Sequence, residues 1–191
     1  MNSIPLPLLF ALLAAAVWHD VRARRIPNAV VFPGMLAALL LHALLPAGAG
    51  LFGAQPGGLG ILAALGGLAL GLAFLLPMYA LRLMGAGDVK LLAMVGAFVG
   101  AGQVLVIGVF ALALGGVLAL AFAAGQGSLR RLVGNAWHMA LHSAVAALAG
   151  EGAVALPAPA AASGRLPYAL AISGASAACV LWLHVGGELP L

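Results

Sequence analysis

The 191-residue sequence has very little charge and a single cysteine. Charged residues make up only 6% of the chain, whereas 65% of its residues are hydrophobic. This composition excludes an ordinary soluble domain and is typical of a protein with several membrane-spanning helices. The lone Cys179 excludes an internal disulfide and a four-cysteine zinc site. The basic residues stand between apolar runs, so the net charge of +4 does not indicate nucleic-acid binding.

Six apolar segments predict transmembrane helices, because a span needs about 20 largely apolar residues. They cover residues of about 4–19, 29–45, 59–81, 89–101, 104–124 and 167–184. The fourth segment is short for a full span, which favours a helix that is tilted or shielded by its neighbours. The sequence therefore predicts an all-α polytopic membrane protein, embedded in the lipid bilayer as one domain over residues 1–191.

Glycines in two of these segments repeat every fourth residue. Gly67 with Gly71 and Gly96 with Gly100 fit the small-xxx-small spacing that lets transmembrane helices approach closely. Ordinary glycine usage in a chain rich in Ala and Gly explains the pairs equally well. The sequence leaves both explanations open.

The segment of residues 125–166 breaks the apolar pattern. Polar residues recur there at helical spacing on one face, which predicts an amphipathic helix along the cytoplasmic membrane surface: Arg131, Asn135, His138 and His142. His138 and His142 also have the spacing of two metal ligands on a helix. No Glu or Cys beside them supplies a third ligand, so no metal site is predicted.

The basic residues fix an orientation for six spans. With the N-terminus outside, all of them fall on the cytoplasmic side, as the positive-inside rule requires: Arg22, Arg24, Arg25, Arg82, Lys90, Arg130, Arg131 and Arg165. The C-terminus then also lies outside. The same topology places Asp20 and Asp88 at one face of the membrane, at similar depth.

These two residues are the only aspartates, and each lies where an apolar segment meets basic residues. An acid at such a boundary is costly to bury in lipid and is a candidate functional residue. Two neighbouring carboxyls share a proton, so one can activate water while the other polarises a peptide carbonyl. This is aspartic-protease chemistry, which needs no metal or cofactor. Gly85 and Gly87 leave the backbone free to admit an extended peptide.

Three motifs resemble those of the type IV prepilin peptidase family, which are membrane aspartic proteases of the Gly-x-Gly-Asp kind. Asp20 is followed after five residues by Ile26-Pro27-Asn28, and later by Gly85-Ala86-Gly87-Asp88-Val89-Lys90. The short chain and the segment Arg165-Leu166-Pro167-Tyr168-Ala169-Leu170-Ala171-Ile172 are most similar to the small CpaA/TadV-type members, which serve Flp/Tad pili.

The resemblance implies that Asp20 and Asp88 form the catalytic pair, supported by motif residues Ile26, Pro27, Asn28, Gly85, Gly87 and Lys90. It implies an enzyme of the bacterial inner membrane that cleaves the short basic leader from a prepilin or pseudopilin at the cytoplasmic face. Larger relatives carry a domain with paired cysteines and also methylate the new N-terminus. This chain has no such domain, so N-methyltransferase activity and S-adenosylmethionine binding are not expected.

Two other classes of function stay open on the residues alone. A small transporter or proton-relay protein could use two acids, but such a protein should show internal repeats and charges near the membrane midplane. A structural assembly protein would tolerate the loss of either aspartate. The sequence also leaves open the cognate pilin, which aspartate acts as the base, and whether the chain forms a homo-oligomer.

Overall fold

The computed structural model describes residues 4–52, 57–81, 83–125, 134 and 168–185. The elements are the helices α1 (Pro5–Ala23), α2 (Asn28–Leu44), α3 (Ile61–Ala80), α4 (Ala86–Val99), α5 (Ala101–Gly125) and α6 (Ala169–His184). One isolated bridge, between Ala47 and Gly58, lies in the connection from α2 to α3. Within the described ranges the predicted all-α fold is confirmed.

Three of these helices are long and apolar enough to cross a membrane, judged by length and composition. They are α1, α3 and the Ala101–Phe122 part of α5. Helices α2 and α6 are apolar but shorter, with 17 and 16 residues. The six helices coincide with the six predicted segments, and no end differs by more than four residues. The number of membrane crossings stays a prediction.

The chain divides into two compact units, Met1–Gly115 with Pro167–Leu191, and Gly116–Leu166. In the second unit the structure describes the last part of α5 and residue 134. The predicted single domain therefore stays a prediction. Several features of the sequence lie outside the described residues, namely Arg82, the predicted amphipathic helix with His138 and His142, and Arg165.

Helix α4 is the most deeply buried element of the first unit. Every residue from Leu91 to Val99 is buried, and α1, α2, α3 and α6 all pack against it. Its 14 residues span about 21 Å, which is less than the ~30 Å hydrocarbon core of a bilayer. Of the two explanations for the short fourth segment, shielding by neighbouring helices therefore fits the structure.

Glycines bring α3 and α4 together backbone to backbone. A Cβ at Gly67 would collide with the carbonyl of Gly96, and a Cβ at Gly96 would collide with the carbonyl of Gly67. One turn further along α3, a Cβ at Gly71 would lie 2.6 Å from the Leu92 carbonyl oxygen. The repeated glycines of α3 therefore serve close packing, which is the small-xxx-small arrangement of membrane helices.

His42 connects three segments at the end of α4 remote from Asp88. The Leu59 N–H donates to its Nδ1 at 3.0 Å, so the ring proton is on Nε2, which donates to the Phe98 carbonyl at 3.1 Å. The side chain is only 2% exposed. The histidine thus satisfies backbone groups of the loop before α3 and of the last turn of α4.

Candidate active site

Asp20 lies on the buried face of α1. The buried residues of this helix recur every three or four positions and form one stripe toward the core: Pro5, Leu9, Leu13, Ala16 and Asp20. Helix α1 ends at Ala23, and the next residue, Arg24, has a left-handed φ of 50°. It therefore continues four residues beyond the predicted end at residue 19, and Asp20 belongs to the helix rather than to the turn. Its side chain is 8% exposed.

The partner of the Asp20 carboxylate comes from the other end of the chain. The Ala169 N–H, in the first turn of α6, donates to Asp20 Oδ2 at 3.2 Å. The first N–H groups of a helix have no acceptor within the helix. Asp20 provides an acceptor for one of them, and the positive end of the helix dipole favours the negative charge of the carboxylate.

Asp88 lies in the first turn of α4, because this helix begins at Ala86, three residues before the predicted start. Gly85 precedes the helix and exchanges two hydrogen bonds with Asp88. The Asp88 N–H donates to the Gly85 carbonyl at 3.2 Å, and the Gly85 N–H donates to Asp88 Oδ2 at 3.3 Å. A Cβ at Gly85 would lie 3.3 Å from that same carboxylate oxygen. Glycine at this position thus leaves room for the Asp88 side chain.

The two aspartates interact electrostatically. Burial, together with the negative charge of Asp20, raises the pKa of Asp88 to about 7, against the opposing effect of the hydrogen bond from Gly85. A like charge nearby disfavours ionisation, so the pair does not lose both protons easily. Near neutral pH Asp88 is therefore partly protonated. A pair in this condition has both a proton donor and a proton acceptor available for general acid–base chemistry.

The middle motif, Ile26-Pro27-Asn28, packs beside Asp88. A Cβ at Gly87 would lie 3.2 Å from the Ile26 Cβ, so the glycine allows the isoleucine to approach α4 closely. Pro27 precedes α2 in an extended conformation, and its carbonyl accepts the Val30 N–H at 3.0 Å. The motif thus begins α2 and contacts the start of α4.

Lys90 joins the same two helix starts through its side chain. Its Nζ donates to Asn28 Oδ1 at 3.1 Å and lies 5.4 Å from the centroid of the Phe32 ring. The Lys90 side chain therefore reaches α2. The structure brings all eight predicted site residues to the end of the helices where α1 ends and where α2 and α4 begin.

Tyr168 is a neighbour of the site for which the sequence analysis gave no role. Its hydroxyl donates to the Ala111 carbonyl in α5 at 3.2 Å. The next residue, Ala169, donates its backbone N–H to Asp20 Oδ2. In the sequence, the segment from Arg165 to Ile172 stands out only through its resemblance to a family motif. No pattern in the segment indicates that Ala169 contacts Asp20.

The described part of the chain was searched for groups of metal-ligating side chains. No group of three His, Cys, Asp or Glu side chains there could hold a metal ion. His138, His142, Glu151 and Glu188 lie outside the described residues.

Comparison with known proteins gives one family match. A family model described as the type IV leader peptidase family matches residues 7–120, which is more than half of the chain. The matched region contains both aspartates and ends before α6. No curated protein and no solved structure matches the sequence.

Proposed function

The chain belongs to the type IV leader peptidase family, and from this premise we propose that Asp20 and Asp88 are its catalytic pair. Membership makes the protein a peptidase, and its apolar helices agree with a location in the membrane. The finer proposal is an aspartic endopeptidase that removes the short basic leader from a prepilin or pseudopilin, of the Flp/Tad type. Cleavage takes place at the cytoplasmic face of the bacterial inner membrane.

The observation that carries this proposal is that the two carboxyl groups lie at the same end of the helices, Asp20 near the end of α1 and Asp88 in the first turn of α4. They are 68 residues apart in sequence, on different helices, yet the charge of Asp20 contributes to the raised pKa of Asp88. Two carboxyl groups that were far apart would not shift each other's pKa. A pKa of about 7 for Asp88 also matches what a general acid at neutral pH requires.

The reaction follows from this shared proton. The ionised carboxyl takes a proton from water as the water oxygen attacks the peptide carbonyl, and the protonated carboxyl donates its proton to the carbonyl oxygen. The resulting tetrahedral intermediate then collapses. The amide nitrogen receives a proton as the C–N bond breaks, which releases the leader and the new N-terminus. All protons come from water and the dyad, so no cofactor takes part.

The membrane topology supports the choice of substrate. In the proposed six-span arrangement the N-terminus and C-terminus lie outside and all basic residues lie inside, which satisfies the positive-inside rule. Both aspartates then face the cytoplasm at the membrane boundary. A pilin helix in the bilayer would present its leader at this depth, and its basic residues would be attracted to the carboxylates. A methyltransferase function is not proposed.

The test is cleavage of an Flp-type prepilin by the full chain in membranes, with Asp20→Asn and Asp88→Asn compared with wild type. Asparagine keeps the side-chain shape and removes the titratable proton. The other two acids of the chain, Glu151 and Glu188, provide matched controls as Gln variants. We expect each Asn variant to lose cleavage at wild-type protein levels, while both Gln variants retain it. Cleavage by either Asn variant at close to the wild-type rate would exclude the dyad and favour a transporter or a structural protein.

A further inference from the structure

The first turn of α6 is held by a residue from another helix. The Tyr168 carbonyl accepts the N–H groups of Ala171 and Ile172, at 3.0 and 3.1 Å, and so begins the helix. No side chain caps this end from the preceding residue. The Ala169 N–H, which has no acceptor within the helix, instead donates to Asp20. Ala169 itself is fully buried, so water does not replace this hydrogen bond easily.

Tyr168 anchors the same turn on α5. Its hydroxyl donates to the Ala111 carbonyl, and its ring lies against Gly115, one helical turn further on. A Cβ at Gly115 would lie 2.6 Å from the tyrosine hydroxyl oxygen and closer still to the ring edge. Gly115 therefore forms a notch that only a residue without a side chain can provide. The ring and the hydroxyl together fix where α6 begins.

We infer that Tyr168 is a positioning residue of the active site, which holds the Ala169 N–H on the Asp20 carboxylate by docking the start of α6 on α5. The inference rests on the proposed function, because it assumes that Asp20 is catalytic. Tyr168 acts through the backbone of the next residue and not by contact with substrate. The class of reaction stays the same, and Tyr168 determines how well Asp20 is oriented for it.

The contact of Tyr168 with α5 sets how precisely Asp20 is oriented and does not set the affinity for substrate. The Ala169 N–H holds Asp20 Oδ2, and a hydrogen bond weakens steeply when its donor shifts or tilts. Misplacing a catalytic group by about 1 Å can cost a large factor in rate even when binding is unchanged. Without its docked hydroxyl, α6 loses one fixed point next to Asp20. The expected consequence is a lower turnover number with an unchanged Michaelis constant.

The decisive comparison uses the two tyrosines of the chain. Tyr168→Phe removes the hydrogen bond to Ala111 and keeps the ring, whereas Tyr79→Phe removes a hydroxyl from a residue that is 46% exposed at the end of α3. With the purified full chain and an Flp-type prepilin, we expect Tyr168→Phe to lower kcat by about three- to tenfold with KM unchanged, since one hydrogen bond is lost. We expect wild-type values for Tyr79→Phe. An unchanged kcat for Tyr168→Phe, or a change in KM alone, overturns the inference.

A second comparison tests the contact between the ring and the notch. Gly115→Ala should lower kcat in the wild-type background, whereas Gly116→Ala should not, because a Cβ at Gly116 meets nothing within 4 Å. In a Tyr168→Ala background, where the ring is gone, Gly115→Ala should cause no further loss. Independent losses that multiply in the double variant would mean that Gly115 does not act through Tyr168. If the Tyr168→Ala variants fail to accumulate, the Phe comparison above still decides.

Failure of the inference and failure of the proposed function give different results. If Asp20→Asn or Asp88→Asn cleaves the prepilin, the proposed function is wrong and the kinetics of Tyr168 carry no catalytic meaning. If both Asn variants are inactive while Tyr168→Phe keeps wild-type kcat, the dyad stands and Tyr168 has only a packing role.

Discussion

Gly67 and Gly96 face each other across the contact between α3 and α4 with no side chain between their backbones. Each lacks the space for even one added methyl group, because a Cβ on either residue would collide with the carbonyl of the other. Helix α4 carries Asp88 in its first turn, so the packing that positions α4 also positions the proposed dyad. The Gly67–Gly96 contact therefore affects the position of Asp88.

Gly67→Ala should therefore destabilise the protein, and its neighbour provides the control. A Cβ at Gly66 meets nothing within 4 Å, so Gly66→Ala should be neutral or stabilising, by up to about 1 kcal/mol through helix propensity. For Gly67→Ala we expect a loss of about 1–3 kcal/mol, the usual cost of overpacking. Thermal unfolding of the detergent-solubilised chain measures both. Equal stability of the two variants would contradict the close approach of α3 and α4.

The raised pKa of Asp88 predicts an alkaline limit to activity. The proposed mechanism needs a proton on the dyad, and burial and the charge of Asp20 raise the pKa of Asp88 to about 7. As the pH rises through this value, Asp88 loses its proton and the pair carries two charges. We expect kcat/KM for prepilin cleavage to fall above pH ~7, with a midpoint that belongs to the coupled pair. A flat profile between pH 6 and 9, with the chain still folded, would contradict the shared proton.

The same shift predicts how stability depends on pH. Asp88 has a pKa of about 7 in the folded chain and ~3.9 when unfolded, so between these values the folded state binds more protons. Folding stability contributed by this residue is then complete below pH ~4 and is lost as the pH rises through 7. Asp88→Asn removes the ionisation, so it should stabilise the chain more at pH 8 than at pH 5.

Thermal unfolding of wild type and Asp88→Asn at both pH values measures this difference in stability, with Glu188→Gln as the control for loss of an acid elsewhere. A variant that is less stable than wild type at pH 8 would show that ionised Asp88 stabilises the fold.

Much of this site could be predicted from the sequence, because its chemistry lies in scarce residues. In a chain with so little charge, two aspartates at predicted membrane boundaries are candidate functional residues, and the positive-inside pattern predicts that both lie on one side. The exact ends of the helices were harder to predict. Helix α1 continues past Asp20, whose side chain accepts a hydrogen bond from the first turn of α6, and α4 already includes Asp88, which exchanges two hydrogen bonds with Gly85. Such effects depend on partners as well as on local hydropathy.

Contacts of a side chain with a distant backbone group could not be predicted. Ala169 and Asp20 are 149 residues apart in sequence, and the backbone N–H of an alanine has no signature in a sequence pattern. The side chains of Tyr168 and His42 can form hydrogen bonds, which the sequence shows. Their partners contribute only backbone groups, namely those of Ala111, Phe98 and Leu59. Every residue type has these groups, so composition and spacing cannot identify them. The fold has to be known first.

His42 gives a prediction that separates the fold from the catalytic chemistry. It is buried and bonded on both ring nitrogens, to the Leu59 N–H and the Phe98 carbonyl. His42→Leu replaces the imidazole with an apolar side chain of similar size and leaves both backbone groups unsatisfied, at about 1–3 kcal/mol for each buried group. We expect a clear drop in thermal stability, and kcat per folded molecule close to that of wild type because His42 lies at the end of α4 remote from Asp88.

The control for this prediction is His19, which neighbours Asp20 in sequence but is exposed. His19→Leu changes the same side chain without exposing a buried backbone donor or acceptor, so its melting temperature should stay close to that of wild type. If His42→Leu melts at the same temperature as His19→Leu, the two hydrogen bonds of His42 contribute nothing to the fold. If it instead loses kcat in full while remaining stable, the loop before α3 influences the dyad across the length of α4, and α4 must then transmit a change from one of its ends to the other.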